Sequence, residues 1–509
     1  MLKIKTNSKL VEPGDTFVAI KGNTVDGHQY IEEAINKGAR FIVAEHGEYE
    51  VPSLIVKDTT EYLRETLSKD YSKDFKDLKF IGITGTNGKT TTALLTSETL
   101  NELGESSAYI GTIGFYINGE LVRELPNTTP DILTLYNLIY EAKEQGVKYI
   151  VMEVSSHALS LGRIDGINFD AAAFTNLTED HLDYHKTMDE YLKAKQKILT
   201  HLKPEAKMIV NNDDPHAKDF ETENTVKIGK TGDIAFMDYE PDATGTKIWF
   251  KYFDRQFGVR TNMLCEFNIY NYLTSLGLVT SMGFDPTKVI SCASKLKPPK
   301  GRNEIIGVNG ARAIIDYAHT PDAVEKIITS NREVTNGKII TIVGCGGNRD
   351  PLKRPIMGNI ASNLSDFVIF TDDNPREENE LDILKDILKG VTEENYIVEP
   401  DRRKAIISGL NMIKPGDTLL ILGKGHEDYQ IIGKQKHHFS DKEEVENYLK
   451  TLNISDEKTA MVILYHEVMW YLMDNLIQDN VLHIPAVFKD EKKNKQRLNE
   501  VVFFVEGGL

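Results

Sequence analysis

Hydrophobic positions in this chain follow two rhythms. Over residues 1–78, short apolar runs at 16–20 and Phe41–Ala44 are broken by Pro13-Gly14 and Gly22, and a polar stretch follows at 68–79. Gly and Pro punctuation of this kind predicts short strands in a small first domain, then a linker. From Lys79 onward an apolar run, a Gly-containing loop and a helical pattern follow one another, at 80–103 and again at 149–161, which predicts a parallel α/β sheet. A Pro-rich break at 296–301 (LKPPKG) precedes a further alternating stretch, where 313–315, Ile339–Val343, Phe367–Phe370 and Thr418–Leu422 read as buried strands. The predicted fold class is therefore α/β in three domains: a small N-terminal α/β domain over 1–78, a central domain over 79–300 and a doubly wound C-terminal domain over 301–455. An extension occupies 456–509. Within it Val462, Tyr465, Met469 and Leu472 or Met473 recur at helical spacing before a lysine-rich stretch at 489–495. The plain reading is an added helix on the third domain; a partner-binding or membrane-surface helix is the alternative.

Composition narrows the function. A length of 509 residues with 40% hydrophobic content suits a multidomain enzyme, and a formal charge of -17 argues against a nucleic-acid binder. Cys265, Cys292 and Cys345 are odd in number and widely spaced, so neither a disulfide framework nor a cysteine zinc site is expected. The N-terminus lacks the apolar core of a signal peptide, and no stretch approaches a membrane span. A cytoplasmic protein, acting as a monomer, is the expectation.

The chemistry concentrates in a few motifs. Gly85-Thr86-Asn87-Gly88-Lys89-Thr90-Thr91 links the run 80–84 to a helical pattern, the context in which backbone amides and a helix N-terminus cradle phosphate. Lys89 would reach the β/γ-phosphates of ATP and Thr90 would bind Mg2+. Ile83 stands where a fuller motif has its first Gly, and a Gly-rich turn without a ligand is the alternative. Glu153 ends the apolar run 149–152, where a carboxylate faces the crevice at the strand ends. The segment 176–185, NLTEDHLDYH, gathers oxygen and imidazole groups, although a lone His such as His181 is more often structural. Lys195 by itself reads as a surface helix lysine. Asp373-Asn374-Pro375-Arg376 follows the strand Phe367–Phe370, and Arg376 is able to clamp a carboxylate with two donors. Its alternative is a surface salt bridge with Glu377 or Glu378, in an acidic run, 377–382, that reads as a solvated helix start.

Taken in order, TGTNGKTTT, MEVSSHAL, TEDHLDYH, YLKAK, DNPR and GKGHEDY resemble the Mur ligase family, and within it the MurE type, over about residues 1–450. The resemblance implies a central P-loop ATPase-like sheet, a Rossmann-like third domain and an ATP-dependent ligase of peptidoglycan synthesis. It implies addition of meso-2,6-diaminopimelate to UDP-MurNAc-L-Ala-D-Glu through an acyl phosphate. Lanthionine or lysine as the amino acid, or a folylpolyglutamate synthase-like ligase, are the rival enzymes; a P-loop switch or scaffold is the rival of another class. By resemblance, Lys89, Glu153, His181 and Lys195 are catalytic, with Thr90, Glu153, His181 and a carbamylated Lys195 holding the metal. The loop 85–91 with Asn271, Arg302 and Asp316 would bind ATP, beside Asn268 and His319. Ser8, Asn127, Thr128, Thr129, Ser155 and Arg163 would hold the UDP-MurNAc-dipeptide; taken bare, the Ser and Thr residues among them equally suit helix caps. Asn23, Thr24 and Val25 depart from the types that the family places in the uridine loop, and Leu161 stands where some members have Gln. Arg349, Asp373, Asn374, Pro375, Arg376, Gly423 and Glu427 would bind the amino acid, with Glu427 on its distal ammonium.

Overall fold

Continuous apolar runs become central parallel strands in the computed structural model, which describes residues 2–22, 25–242, 245–451, 481–490 and 495–504. The N-terminal sheet pairs Ile4–Lys5, Thr16–Val18, Phe41–Ala44 and Ser53–Ile55 in that order, all parallel. Asn23 and Thr24 lie outside the described residues, and Val25 is exposed.

At the heart of the central sheet, Lys79–Thr84 lies between Phe169–Phe174 and Tyr149–Glu153. Its residues alternate between two cores: Phe80 packs with the cluster that reaches the N-terminal sheet, Ile81 and Ile83 with the helices Lys89–Glu102 and Glu266–Ser281. Among the described residues the sheet has eleven strands, and its middle is parallel as the sequence predicts. Antiparallel pairing extends both ends: Gly245–Tyr252 and Arg255–Thr261 follow the parallel Ile234–Asp242 on one side, and Gly114–Ile117 and Glu120–Arg123 lie on the other. Ile234–Asp242, Gly245–Tyr252 and Arg255–Thr261 are partly exposed and carry charged residues between apolar ones, so they lack the apolar runs that marked the rest; Gly114–Ile117 is largely buried but only four residues long.

The third sheet runs Glu304–Val308, Ala311–Asp316, Thr418–Leu422, Ile339–Val343, Phe367–Phe370, Tyr396–Val398, with only the first strand antiparallel to its neighbour. Thr418–Leu422 sits between two strands that precede it in sequence. Loops at such a reversal diverge, opening a crevice at the strands' carboxyl ends. The helix predicted at the acidic run begins at Glu380 and is capped by Asn379, whose side chain accepts the Leu381 N–H.

By internal contacts the chain divides into two units, Met1–Lys442 and Glu443–Leu509. In the second, Val481–Asp490 and Lys495–Phe504 pair antiparallel, with Val481 opposite Phe504 and Asp490 opposite Lys495. The helix expected over 462–473 lies outside the described residues. Among the described residues no helix is long and apolar enough to cross a membrane, and all three cysteines are free and buried.

One buried charge organises the third sheet's rim. Arg402 opens the helix Arg402–Met412, where Asp401 caps the N-terminus. Its Nε and Nη2 donate to Asp441 Oδ1 and Oδ2 at 2.7 and 2.8 Å, and both side chains are wholly buried. The remaining donors reach Asp372 O (3.1 Å) and Leu422 O (2.9 Å), so one guanidinium fixes the spacing between the loops that leave two strands. Breaking such a pair strands the partner's charge. Arg402→Met should lower the unfolding free energy by about 3–5 kcal/mol, read as the urea midpoint of the Met1–Lys442 unit. A loss below about 1 kcal/mol would show that the clamp is dispensable.

Candidate active site

Two glycines shape the phosphate-type loop. Gly85 has φ 146°, and a Cβ there would lie 1.9 Å from Thr175 Oγ1; at Gly88, φ 85°, it would lie 2.4 Å from Asn271 Oδ1. Only glycine tolerates both the backbone and the approach. The loop is moored to the next strand end: Thr86 N donates to Asn176 O (2.8 Å), Asn87 N to Asn176 Oδ1 (2.9 Å), and Thr175 Oγ1 to Asn87 O (2.6 Å).

Lys89 and Lys195 converge on one atom. Their Nζ groups donate to Gly85 O at 2.9 and 2.7 Å, and Lys89 also donates to Thr86 O. Lys195 is 1% exposed, so the surface-lysine alternative does not hold. Burial, then the neighbouring Lys89, drives the Lys195 amine well below its ordinary range, and burial lowers Lys89 as well.

Glu153 is fully buried at its strand end. Oε1 accepts from Tyr109 OH (2.5 Å) and Thr112 N (2.8 Å), and Oε2 from Thr90 Oγ1 (3.0 Å) and Thr112 Oγ1 (3.1 Å). Thr112 Oγ1 pairs with Thr128 Oγ1 at 3.0 Å, and Thr129 Oγ1 donates to Glu153 O. Arg163 holds Thr129 O at 2.8 Å. Ser155 caps the helix Ser156–Ser160 by accepting from Ala158 N, the alternative raised for it, and Asn127 is exposed. Ser8 lies in the N-terminal layer, where its hydroxyl donates to Glu33. His181 is half-buried at φ 56°; burial foremost, with His157, Lys89 and Lys195 adding to it, lowers its pKa to about 4, so the imidazole is neutral at physiological pH.

Residues from the third sheet close over this loop. Arg302 Nη2 donates to Thr90 Oγ1 (3.3 Å), and its guanidinium lies 4.3 Å from the Tyr317 ring centre. Asn87 Nδ2 donates to Asp322 Oδ2 at 3.0 Å. Asp316 accepts from Asn303 N and Ala318 N, while Asn271 Nδ2 donates to Asn268 Oδ1. The loop 86–91, Thr128, Glu153, His181, Asn268, Asn271, Arg302, Asp316 and His319 line one cavity of about 760 Å³ between the two sheets.

Tyr317 lines that cavity too, and behind it lies the second group. The Tyr317 hydroxyl is raised by burial and then by Glu427 and Asp373. Arg376 adopts φ 53°, and its Nη1 donates to Gly347 O at 2.8 Å. The salt bridge proposed as its alternative is not made: Glu378 pairs with Arg354 and Glu377 with Lys434. Burial and the adjacent Arg349 depress the Arg376 pKa, which marks two cations side by side. The chain turns through Pro375, whose carbonyl oxygen would be 1.9 Å from a Cβ on Gly347. Gly423 N donates to Asp316 O, joining this group to the first. Asn374 Nδ2 donates to Glu427 Oε2 at 2.9 Å. Sequence reading missed Tyr317, Asp322 and Lys424. The last stood inside GKGHEDY, between glycines and just after a buried strand, and that position was its signal.

Comparison with known proteins follows the same division. The Mur ligase middle domain model matches residues 83–279, the Mur ligase glutamate ligase domain model 301–425, and the catalytic domain model of the Mur ligase family 3–71. A protein of Aquifex aeolicus (strain VF5), UDP-N-acetylmuramoyl-L-alanyl-D-glutamate--2,6-diaminopimelate ligase, is 42% identical over 451 residues, covering 88% of this chain and 93% of that protein. A solved structure of a ligase of the same name superposes with a TM-score of 0.62 at 29% identity, over 88% of this chain and 95% of the other. The MurF ligase of Thermotoga maritima in complex with ADP, at 22% identity, shares the fold with a TM-score of 0.65 over 84% of this chain and 94% of its own. With three family models matched in succession and a relative covered almost from end to end, this chain belongs to the Mur ligase family.

Proposed function

We propose that this chain joins meso-2,6-diaminopimelate to UDP-MurNAc-L-Ala-D-Glu through an acyl phosphate, converting ATP to ADP and phosphate, in peptidoglycan synthesis. The relatives' names supply the substrate pair. Within this chain the supporting observation is Arg376, half-buried beside Arg349 and a few residues from the Asn374–Glu427 pair. Two guanidiniums suit a remote carboxylate and Glu427 a remote ammonium, the charges at diaminopimelate's far end. Lysine lacks that carboxylate.

A carboxylate repels nucleophiles, so it must first be activated. A substrate carboxylate oxygen attacks the γ-phosphorus, the bond to ADP breaks, and the amine then attacks the acyl carbon; phosphate departs and the new amide sheds a proton. Lys89 and Arg302 would spread the negative charge that accumulates on the transferring group. Asn271 and Asp316 would orient the nucleotide, and Thr128, Thr129 and Arg163 the sugar peptide. Residues 1–78 would carry the uridine end with Ser8, 79–300 the ATP and 301–455 the amino acid.

Thr90, Glu153 and His181 fit a divalent cation: a hydroxyl, a buried carboxylate and a neutral imidazole face one cavity. Mg2+ held there would neutralise phosphate oxygens. Two ammonium groups sharing Gly85 O repel each other, and a neutral amine is the form that adds CO2. Carbamylation of Lys195 would replace that repulsion with attraction toward Lys89 and add an anionic oxygen donor. A monomer acting in the cytoplasm is part of this reading, and the buried free thiols accord with that compartment.

ADP release with ATP, Mg2+ and UDP-MurNAc-dipeptide should be strong with diaminopimelate and weak with lysine; the reverse order would end the substrate assignment. Arg376→Ala should raise KM for diaminopimelate roughly 10- to 100-fold, the worth of one charge-assisted hydrogen bond, with KM for ATP unchanged. For Lys195, protein equilibrated with 13C-bicarbonate should show a carbamate carbon resonance that Lys195→Ala lacks. Active enzyme with an unmodified amine would refute the carbamate.

A further inference from the structure

A fully buried lysine sits inside the amino-acid group, and nothing above gives it work. Lys424 has 0% side-chain exposure. Its Nζ lies 3.2 Å from Asn374 Oδ1, 3.3 Å from Glu427 Oε2 and 3.6 Å from Asp373 Oδ1. Ile431 N also donates to Asn374 Oδ1, at 2.9 Å. The Asn374 amide is thus fixed from both sides, with its oxygen toward Lys424 and Ile431 and its nitrogen toward Glu427.

A charge argument goes with this geometry. Asp373 and Glu427 are two carboxylates in a largely enclosed place. Glu427 is pushed up by burial and then by Asp373, and brought down by Lys424 and by the Asn374 hydrogen bond. The other groups facing it are Arg376, Arg402, Tyr317 and Tyr429, and Arg402 is already committed to Asp441. Lys424 is the cation in ion-pair contact with both carboxylates. Among the described residues the side-chain hydrogen bonds that Glu427 accepts, from Asn374 and Lys424, fall on Oε2, so Oε1 is the oxygen that would take an amino group.

We propose that Lys424 is a positioning residue for amino-acid selection: it does not touch the substrate but holds Glu427 anionic and Asn374 in one orientation, so that the pocket grips a distal ammonium. This rests on the amino-acid assignment made above. A neighbouring cation favours the carboxylate, so its loss moves Glu427 protonation to higher pH, and the ammonium is released at a pH where the parent enzyme still holds it.

The test is steady-state ADP release by the full-length chain across pH 6 to 9, comparing the parent with Lys424→Met, Lys424→Gln and Lys424→Arg, with thermal melting alongside. The neutral variants should raise KM for diaminopimelate at least ten-fold, leave KM for ATP within two-fold, and move the acid-side rise in that KM to higher pH. Lys424→Arg should keep the parent's acid limb. A neutral variant with KM within two-fold and an unmoved limb overturns the proposal, and so does an arginine variant displaced as far as the neutral ones, which would mean that packing and not charge is at work. Should the neutral variants not fold, the arginine variant decides: a kept limb supports the proposal and a displaced one defeats it. If the parent prefers lysine to diaminopimelate, the substrate assignment falls by itself, and the same limb measured with lysine still tests Lys424.

Discussion

One hydroxyl is held from both of the large sheets. Thr90 Oγ1 donates to Glu153 Oε2 in the central sheet's crevice and accepts from Arg302 Nη2, which the third sheet's approach supplies. Around it several ionic groups at the strand ends, Glu153, Lys195, Asp373 and Lys424 among them, are buried, and a buried ionic group needs a neighbour to balance it. Glu153 is balanced by four donors, Lys89 and Lys195 share a carbonyl oxygen, and Lys424 answers Asp373 and Glu427. The crevice is dense with charge because the loops that leave the carboxyl ends of parallel strands all emerge at the same edge.

That rule also explains how much could be read from the chain alone. Buried parallel strands announce themselves as apolar runs, and Lys79–Thr84, Ile339–Val343 and Thr418–Leu422 were visible for that reason. The antiparallel ends were not, because a strand such as Ile234–Asp242 mixes buried Ile234 with exposed Asp238 and Glu240. Turn chemistry made the phosphate-type loop legible, since its glycines answer to local sterics.

Site residues whose role depends on distant partners were harder. Lys195 looks like any helical lysine, and only the packing of the helix Met188–Gln196 against the loop shows that its amine is enclosed. Family resemblance marked it; composition pointed the other way. Lys424 was passed over for a similar reason, because the carboxylates it serves lie on a loop about fifty residues earlier as well as on its own. Ser155 shows the opposite case, where the plain reading as a helix cap describes what its oxygen does.

The backbone at Arg376 carries a further implication. A β-carbon in the left-handed region is disfavoured, and Arg376 is held there by Ile431 O, which accepts its N–H, and by Gly433, whose N–H its carbonyl accepts. Glycine or asparagine would relax that conformation while discarding the guanidinium. With Arg376 selecting the amino acid, as proposed, heat resistance and discrimination pull in opposite directions at this one position. Laboratory evolution that rewarded thermal endurance alone would tend to drift toward a sturdier but less discerning ligase.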